Sequence, residues 1–462
     1  MRRIVLTGFR GTGKTDTGRI LARKTGAQFI DTDALIELTA KRSIPEIFRD
    51  DGEEQFRRLE RDAIASLPAR DAVISTGGGA VMDPANVELL RRDSTVVLLT
   101  ADPAVIGERL ARAPRPALTP LPPREEIREL LKQRRGMYHA SADLCFDTGA
   151  TSPTSAAEAI LSQIRQKGPG AGARARALAF FRQGRMPAPH RDRLEKILGG
   201  ERGPRVRLLG VAGNPCAHSR GPALFNGLFA RYGLSYHYTW FEHPDLKEIM
   251  EIARGLKVKG LSVTIPFKQE VTGFLDEIDP SGAEQIGAVN TVVFCCGTAT
   301  GYNTDWIGVR EPLARLRGAK AVLLGAGGVA AAAAYALTGL DMEVTVLNRT
   351  PEKARALAGR FGCAWAGWDA FDTLRPDLVV NATPVGMHPD TKSPLREDQL
   401  GEGMTVFDLV YTPAETPLLR AAQRRGCRTI PGTEMFVGQA REQFRLFFGI
   451  DVPAGIIREN LA

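Results

Sequence analysis

Residues 8–18 read GFRGTGKTDTG, with Gly8, four intervening residues, and then Gly13-Lys14-Thr15. That spacing makes a loop whose backbone N–H groups and lysine cradle nucleotide phosphates, while the next hydroxyl meets Mg²⁺. The loop functions between a strand and a helix, and the apolar run Arg3–Thr7 before it and the helical pattern after it supply both. The first part of the chain is thereby committed to an α/β layout. Further apolar runs at 27–30, 72–75 and 95–99 alternate with helical patterns, predicting a parallel sheet covered on both faces.

A chain of 462 residues is too long for one core and predicts about three domains. Its 43% apolar and 25% charged residues are those of an ordinary globular protein. With no long apolar run, the reading is a cytoplasmic protein with neither signal peptide nor membrane span. The six cysteines, Cys145, Cys216, Cys295, Cys296, Cys363 and Cys427, lack CxxC pairing and are too sparse for a disulfide scaffold, so reduced, buried thiols are expected.

The formal net charge of +8 is local. Between Arg165 and Arg207 twelve Lys/Arg face only Asp192, Glu195 and Glu201, so this stretch exceeds the whole chain's excess and the rest is near neutral. It lacks the aromatic interleaving of a nucleic-acid binder and reads as a solvated connector. GPGAGARARA (168–177) is aperiodic and linker-like, while RDRLEKILGG (191–200) reads as a short helix stopped by glycine. Residues 166–204 are therefore expected to be a flexible basic linker.

Candidate acceptor-binding residues follow the phosphate loop. Asp31 and Asp33 lie at the carboxyl end of the second strand, where open α/β sheets take ligands. One carboxylate suits a hydrated Mg²⁺ and the other suits substrate hydroxyls; Asp33 as a helix N-cap is the alternative. In DGEEQFRRLERD (51–62), Glu53 and Glu54 precede Arg57 and Arg58 by four, a spacing that also describes plain surface pairing. STGGGAV (75–81) lets backbone approach a ligand closely, or makes a simple turn. RAPRPAL (112–118) and RRGMY (134–138) bring arginines suited to an anionic substrate and a transferring phosphoryl group.

With these stretches in this order, together with DTD (31–33) and IPEIFRDDGEEQFRRLE (44–60), residues 1 to about 165 resemble shikimate kinase. The resemblance implies that Lys14 and the loop of Gly8, Gly11 and Gly13 hold ATP, with Thr15 and Asp31 serving Mg²⁺. It implies Asp33, Gly78 and Gly79 on the hydroxyl side of shikimate, Arg57 and Arg134 on its carboxylate, and Arg115 on a closing lid. Ala117 departs from the leucine commoner in that lid. Catalysis would rest on positioning and charge neutralisation by Lys14, with Asp33 orienting or deprotonating the attacking hydroxyl.

The second half carries a different glycine turn. AVLLGAGGVAAAAAYAL (321–337) reads as strand, turn and helix, with Gly325, Gly327 and Gly328 but no following lysine, a G-x-G-G dinucleotide loop. The next strand, EVTVLNRT (343–350), ends in Asn348-Arg349-Thr350, where an NAD site would place Asp or Glu; an arginine and a hydroxyl there favour NADP. Upstream, Lys268 closes the β-type run GLSVTIPFK, and Asp305 sits among turn residues in GYNTDWIG. Singly they read as a surface lysine and a cap. Together in one cleft they would protonate the alkoxide formed from a ketone, assistance typically worth ~10²–10⁴-fold.

From Arg205 onward the chain resembles shikimate dehydrogenase, through GNPCAHSRGPALFN, SVTIPFK, GAVNT, GYNTDWIG, GAGGVA, NRT, NATPVGM, FDLVYTPAETPLL and PGTEMFVGQA. The resemblance implies Lys268 and Asp305 as the catalytic pair, with Ser219, Gly221, Thr264, Asn290, Tyr411 and Gln439 around the substrate. It places Gly325, Ala326, Gly327, Gly328, Val329, Asn348, Arg349, Thr350, Leu409 and Gly432 around NADP(H). Two departures stand out: Gly221 where the family has a second serine, and Ser262 where it has asparagine. Loss of a hydroxyl at 221 removes a hydrogen bond worth ~1.5–3 kcal/mol if nothing replaces it. It is also expected to open space where quinate carries its extra hydroxyl.

The expected architecture is α/β throughout: a P-loop kinase sheet at 1–165, the linker at 166–204, a substrate domain at 205–317 completed by about 440–462, and a Rossmann-type NADP domain at 318–439. The expected function is bifunctional, reducing 3-dehydroshikimate with NADPH and phosphorylating the resulting shikimate with ATP, two steps toward chorismate and the aromatic amino acids. Alternatives are a quinate/shikimate dehydrogenase in the second half, and an idle regulator sensing shikimate or quinate. The partners expected are small molecules only, with no nucleic acid and no membrane.

Overall fold

Strand and helix alternation builds three sheets in a computed structural model that describes residues 2–112, 119, 121–165, 171–183, 188–199 and 206–461. The first sheet is wholly parallel, with strands β1 (Arg3–Thr7), β2 (Gln28–Asp31), β3 (Ala72–Ser75), β4 (Ser94–Thr100) and β5 (Leu144–Asp147) in the order β2-β3-β1-β4-β5. Every residue of β1 and β3 is buried, as a sheet covered on both faces requires. Strand β2 starts one residue later than expected, because the N–H of Ala27 is still bonded to Ala22 O of the preceding helix.

The second sheet holds β6 (Arg207–Gly213), β7 (Tyr236–Glu242), β8 (Gly260–Val263), β9 (Glu277–Ile278), β10 (Thr291–Cys295) and β11 (Thr298–Tyr302), ordered β7-β6-β8-β10-β11-β9. It is mixed, since β10 runs antiparallel to both β8 and β11. The third sheet is parallel, with β12 (Lys320–Leu324), β13 (Glu343–Leu347), β14 (Ala364–Ala366), β15 (Leu378–Asn381), β16 (Thr405–Asp408) and β17 (Arg428–Ile430) ordered β14-β13-β12-β15-β16-β17. This is the doubly wound dinucleotide-binding order, with its switch point beside β12. The helix Gly432–Phe448 returns to the second sheet, where Phe444, Phe447 and Phe448 are buried in its core.

The connector departs from the flexible linker read in the sequence. Residues Ala171–Gln183 and Ala188–Gly199 are helical, and Phe180 and Phe181 pack on Phe241 of β7 at ring distances of 6.2 and 5.2 Å. Alanine and arginine are strong helix formers, and the buried phenylalanines supply the apolar anchoring that an Ala/Arg/Gly composition conceals. Arg176 also pairs with Glu248 and Glu251 at 2.9 and 2.7 Å. The cysteine expectation changes too: Cys145 and Cys296, 151 residues apart, are bonded in a disulfide.

One apolar core runs from the first sheet into the second, and a buried carboxylate stands at their junction. Asp143 Oδ1 accepts from Tyr236 Oη at 2.6 Å, Arg91 at 3.1 Å and Arg207 at 3.4 Å, while its Oδ2 accepts from Val96 N–H at 2.9 Å. Burial opposes the charge, yet the two arginines, Tyr236 and the Val96 amide hold the carboxyl below its ordinary value. Because the folded value is depressed, the stabilisation is present above the unfolded aspartate value of about 4 and is lost as pH falls below it. Replacing Asp143→Asn should lower stability by ~3–5 kcal/mol, since two buried guanidiniums lose their counter-charge. Thermal unfolding from about pH 2 to 7 checks this: the wild type should keep its advantage over the variant above about pH 5 and lose it below about pH 4.

Candidate active sites

The phosphate loop lies at the carboxyl end of β1. Gly8 adopts φ +137°, and a Cβ there would stand 2.3 Å from Leu99 O, so no side chain fits. Gly11 and Gly13 also have positive φ, and Gly13 precedes the helix Lys14–Thr25 without a side-chain cap, leaving the helix-start amides available to an anion. Lys14 Nζ donates to Gly8 O at 2.8 Å and Phe9 O at 2.9 Å, which brings its charge back over the loop. Thr15 Oγ1 is 3.0 Å from Asp31 Oδ2, so hydroxyl and carboxylate share one spot beside the loop. The N-cap role considered for Asp33 belongs to Asp31, whose Oδ1 accepts from Asp33 N–H at 3.1 Å.

Asp33, Arg57, Gly77–Gly79 and Arg134 converge. A Cβ at Gly77 would lie 2.6 Å from Asp33 Oδ1, and one at Gly79 would lie 2.9 Å from an Arg57 guanidinium nitrogen. Arg134 Nη1 reaches Gly78 O at 3.4 Å. The (i, i+4) spacing does produce an Arg57–Glu53 pair at 3.0 Å, but Arg57 also holds the buried Glu60 at 2.9 Å. Burial pushes the Glu60 carboxyl up, against the pull of Arg57. Glu60, Tyr138, which donates to Gly78 O, and the Arg10–Glu126 ion pair were not singled out from the sequence. In sequence Glu60 and Tyr138 look like helix-surface and core residues, and nothing local joins Arg10 to Glu126. Arg115 and Ala117 lie outside the described residues.

In the second half, Lys268 Nζ and Asp305 Oδ2 stand 2.6 Å apart, the lysine in the turn after β8 and the aspartate opening the helix Asp305–Leu313. Asn290 Nδ2 donates to Asp305 Oδ1 at 2.8 Å and Gln439 Oε1 at 3.3 Å, so Asn290 and Lys268 together hold both carboxylate oxygens and three segments are linked. Burial and the charge of Asp305 push the Tyr411 hydroxyl up. Thr264 is anchored through its N–H to Ala212 O at 2.9 Å, and Ser219 Oγ accepts from Gly221 N–H at 3.2 Å.

The space expected at Gly221 is not open. A Cβ there would meet Ser219 Oγ at 3.2 Å and the Tyr238 ring at 3.4 Å, with the Tyr238 hydroxyl 3.5 Å away. That hydroxyl donates to Ser262 Oγ at 2.6 Å, and Ser262 donates to Gln443 Oε1 at 2.9 Å. Both departures from the family pattern thus touch one tyrosine. Within YHYTWFE it looks like any core aromatic, and no sequence signal distinguishes it.

Strands β12 and β13 pair through Leu324 and Leu347, so the turn Gly325–Gly328 and the segment Asn348–Thr350 leave the sheet side by side. A Cβ at Gly327 or Gly328 meets nothing within 4 Å, leaving a hollow before Val329 and the rest of the helix Gly328–Thr338. Arg349 and Thr350 are exposed beside it, and Ala326 is half-buried in the turn. Leu409 follows β16, and a Cβ at Gly432 would lie 2.5 Å from Val410 O, so only glycine fits there. Asp408, missed in the sequence, accepts from Asn381, Val410 N–H and Thr416 at 2.8, 3.1 and 2.6 Å and ties these loops together.

Comparison with known proteins agrees with both halves. Residues 10–165 match the shikimate kinase family. Residues 211–292 match the shikimate dehydrogenase substrate binding domain, 309–383 the shikimate/quinate 5-dehydrogenase family, and 432–461 the shikimate 5'-dehydrogenase C-terminal domain. An NADP⁺ shikimate dehydrogenase of Pyrococcus furiosus is 41% identical over 259 residues, which are 55% of this chain and 94% of that protein. The Thermus thermophilus shikimate 5-dehydrogenase, solved with NADP(H) and shikimate, is 34% identical with a TM-score of 0.52, covering 55% of this chain and 98% of that one. A quinate dehydrogenase from Corynebacterium glutamicum, solved with NAD, is 35% identical with a TM-score of 0.53 over 55% and 98% of the two chains. The chain belongs to the shikimate dehydrogenase family through residues 211–461 and carries a shikimate kinase domain at residues 10–165.

Proposed function

We propose that the chain performs two consecutive steps, NADPH-dependent reduction of 3-dehydroshikimate to shikimate and ATP-dependent phosphorylation of that shikimate. The observation that supports this reading is that the described residues bring both sets of reactive groups together on one chain. Lys14, Thr15 and Asp31 stand together at the phosphate loop, and Lys268 and Asp305 are paired at 2.6 Å. An idle regulator would have no need to keep both.

NADPH, when bound, supplies the hydride. The hollow at Gly327 and Gly328 suits its pyrophosphate, and exposed Arg349 and Thr350 suit the 2′-phosphate. Lys268 Nζ gives a proton to the ketone oxygen as it becomes an alkoxide, and Asp305 keeps the ammonium aimed and charge-balanced. Asn290 holds Asp305 in place. In the kinase half, ATP with Mg²⁺ supplies the phosphoryl group, with Thr15 and Asp31 at the ion. Asp33 orients and deprotonates the substrate hydroxyl, Arg57 and Arg134 take the carboxylate, and Lys14 with the loop amides neutralises the phosphates.

A second reading, quinate as an alternative substrate, is prompted by Gly221 and by the likeness to a quinate dehydrogenase. Against it, the Tyr238 ring and hydroxyl pack 3.4 and 3.5 Å from the position of a Cβ at 221, so the missing side chain leaves little room for an added hydroxyl, which favours shikimate.

Offered 3-dehydroshikimate, NADPH and ATP, the wild-type chain should accumulate shikimate 3-phosphate. Lys268→Ala should lose ~10²–10⁴-fold in ketone reduction and keep kinase turnover. Lys14→Ala should stop the sequence at shikimate, losing ~10²–10³-fold in phosphoryl transfer. Loss of both activities in either variant would contradict independent sites. Tyr238→Phe should raise KM for shikimate severalfold with kcat little changed, because the Ser262–Gln443 hydrogen-bond chain loses its donor. Steady-state oxidation of shikimate and quinate with NADP⁺ checks it, and unchanged KM values would remove Tyr238 from the substrate site.

A further inference from the structure

Neither active site uses a cluster of sulfur and imidazole that lies where the kinase domain meets the second sheet. His139, near the end of the helix Pro123–Ser141, and Cys145 on β5 come from the kinase side. Cys295, the last residue of β10, and Cys296, the first of the following turn, come from the other. Cys145 and Cys296 are bonded, and Cys295 Sγ is 3.2 Å from Cys296 Sγ. The Cys295 and Cys296 sulfurs and a His139 ring nitrogen all lie within 4.8 Å of one another.

The hairpin shows the effort spent in placing Cys296. Cys295 pairs with Thr298, leaving Cys296 and Gly297 as a two-residue turn with φ of +57° and +83°. Such turns favour asparagine, aspartate or glycine first, and a cysteine there is uncommon. Cys145, Cys295 and Cys296 also line an interdomain cavity of about 1820 Å³.

We propose that, with the disulfide reduced, His139, Cys145, Cys295 and Cys296 bind one soft divalent cation of the zinc type across the domain junction. Three thiolates and one imidazole form the donor set of closed, four-coordinate structural zinc sites, and softness selects zinc over Mg²⁺ or Ca²⁺. Three thiolates around a 2+ ion leave a net −1; burial and Asp143 oppose a free thiolate at Cys295, while Lys259, Arg207 and Arg135 favour it. Lys259 Nζ further donates to His139 O at 3.1 Å and Ala142 O at 2.7 Å, holding the ligand-bearing segment in place. Two ligands come from each side, so neither side alone has the set, and no CxxC spacing announces it.

The chemistry balances. A phosphine reductant gives two electrons to the Cys145–Cys296 bond and takes an oxygen from water, and the water protons leave two thiols. Binding then exchanges the three thiol protons of Cys145, Cys295 and Cys296 for the cation, with His139 donating a neutral nitrogen. Disulfide and metal are mutually exclusive, because two of the ligands are the bonded pair.

The test uses the full chain, reduced with a phosphine, freed of metal and titrated with Co²⁺ and then Zn²⁺. The expected result is one equivalent of Co²⁺ with the visible bands of a tetrahedral thiolate site, displaced by Zn²⁺. The disulfide form should bind at least ~100-fold more weakly, and Cys145→Ser and Cys295→Ser at least ~10-fold more weakly than the reduced parent. Cys363→Ser and Cys427→Ser should bind as the parent does. Should Cys145→Ser fail to fold, Zn²⁺ must still protect Cys145, Cys295 and Cys296 of the parent chain from alkylation. No uptake by the reduced chain, equal uptake by the oxidised chain, an octahedral cobalt spectrum, or binding indifferent to Cys295→Ser would each overturn the proposal.

Discussion

The buried carboxylate of Asp143 sets how the two enzymatic units meet. Apolar contact between the first and second sheets is broad but non-directional, so burial alone leaves the docking angle loosely defined. A buried charge is different, because it is tolerated only when its partners arrive in one geometry. Arg91 follows from a helix of the kinase domain, while Arg207 and Tyr236 open β6 and β7 of the second sheet. All three must reach the same oxygen, which converts a greasy junction into a registered one. Lys259 repeats the principle nearby by donating to two kinase carbonyls.

The two sites apply electrostatics in opposite ways. At the phosphate loop, the helix-start amides, Lys14 and Arg134 gather positive potential that suits anions. At Lys268 the charge is already balanced by Asp305, and in the proposed reduction the task is to keep one proton aimed at one oxygen. That demands positional rigidity, supplied by Asn290, which grips the carboxylate from just before β10 and is itself held by Gln439 of the helix Gly432–Phe448. The long return of that helix from the third sheet to the second is therefore part of the site as well as of the core.

Much of this was legible in the sequence because phosphate-binding turns are local objects. Glycines, a lysine and a strand-to-helix transition within about ten residues carry the mechanism with them. The sheet order around β12 likewise follows from strand and helix alternation. Composition misled where it averaged over single residues: GPGAGARARA hid a helix that two phenylalanines anchor. The family comparison drew attention to Gly221 and Ser262, yet nothing near either position identifies Tyr238, which lies between them in space and fills the volume a serine would need.

The sequence by itself determined the α/β class, the two glycine turns and the residue types at each reactive centre, since these depend on spacing along the chain. Only the tertiary structure decided which distant groups share an environment. It joined Asp143 to Arg207, Glu60 to Arg57, Tyr238 to Ser262, and Cys145 to Cys296. The physical reason is common to all four. Hydrogen bonds, ion pairs and sulfur contacts act over a few ångströms of space, and a linear pattern records separation along the chain but not the burial and proximity that give those contacts their energy.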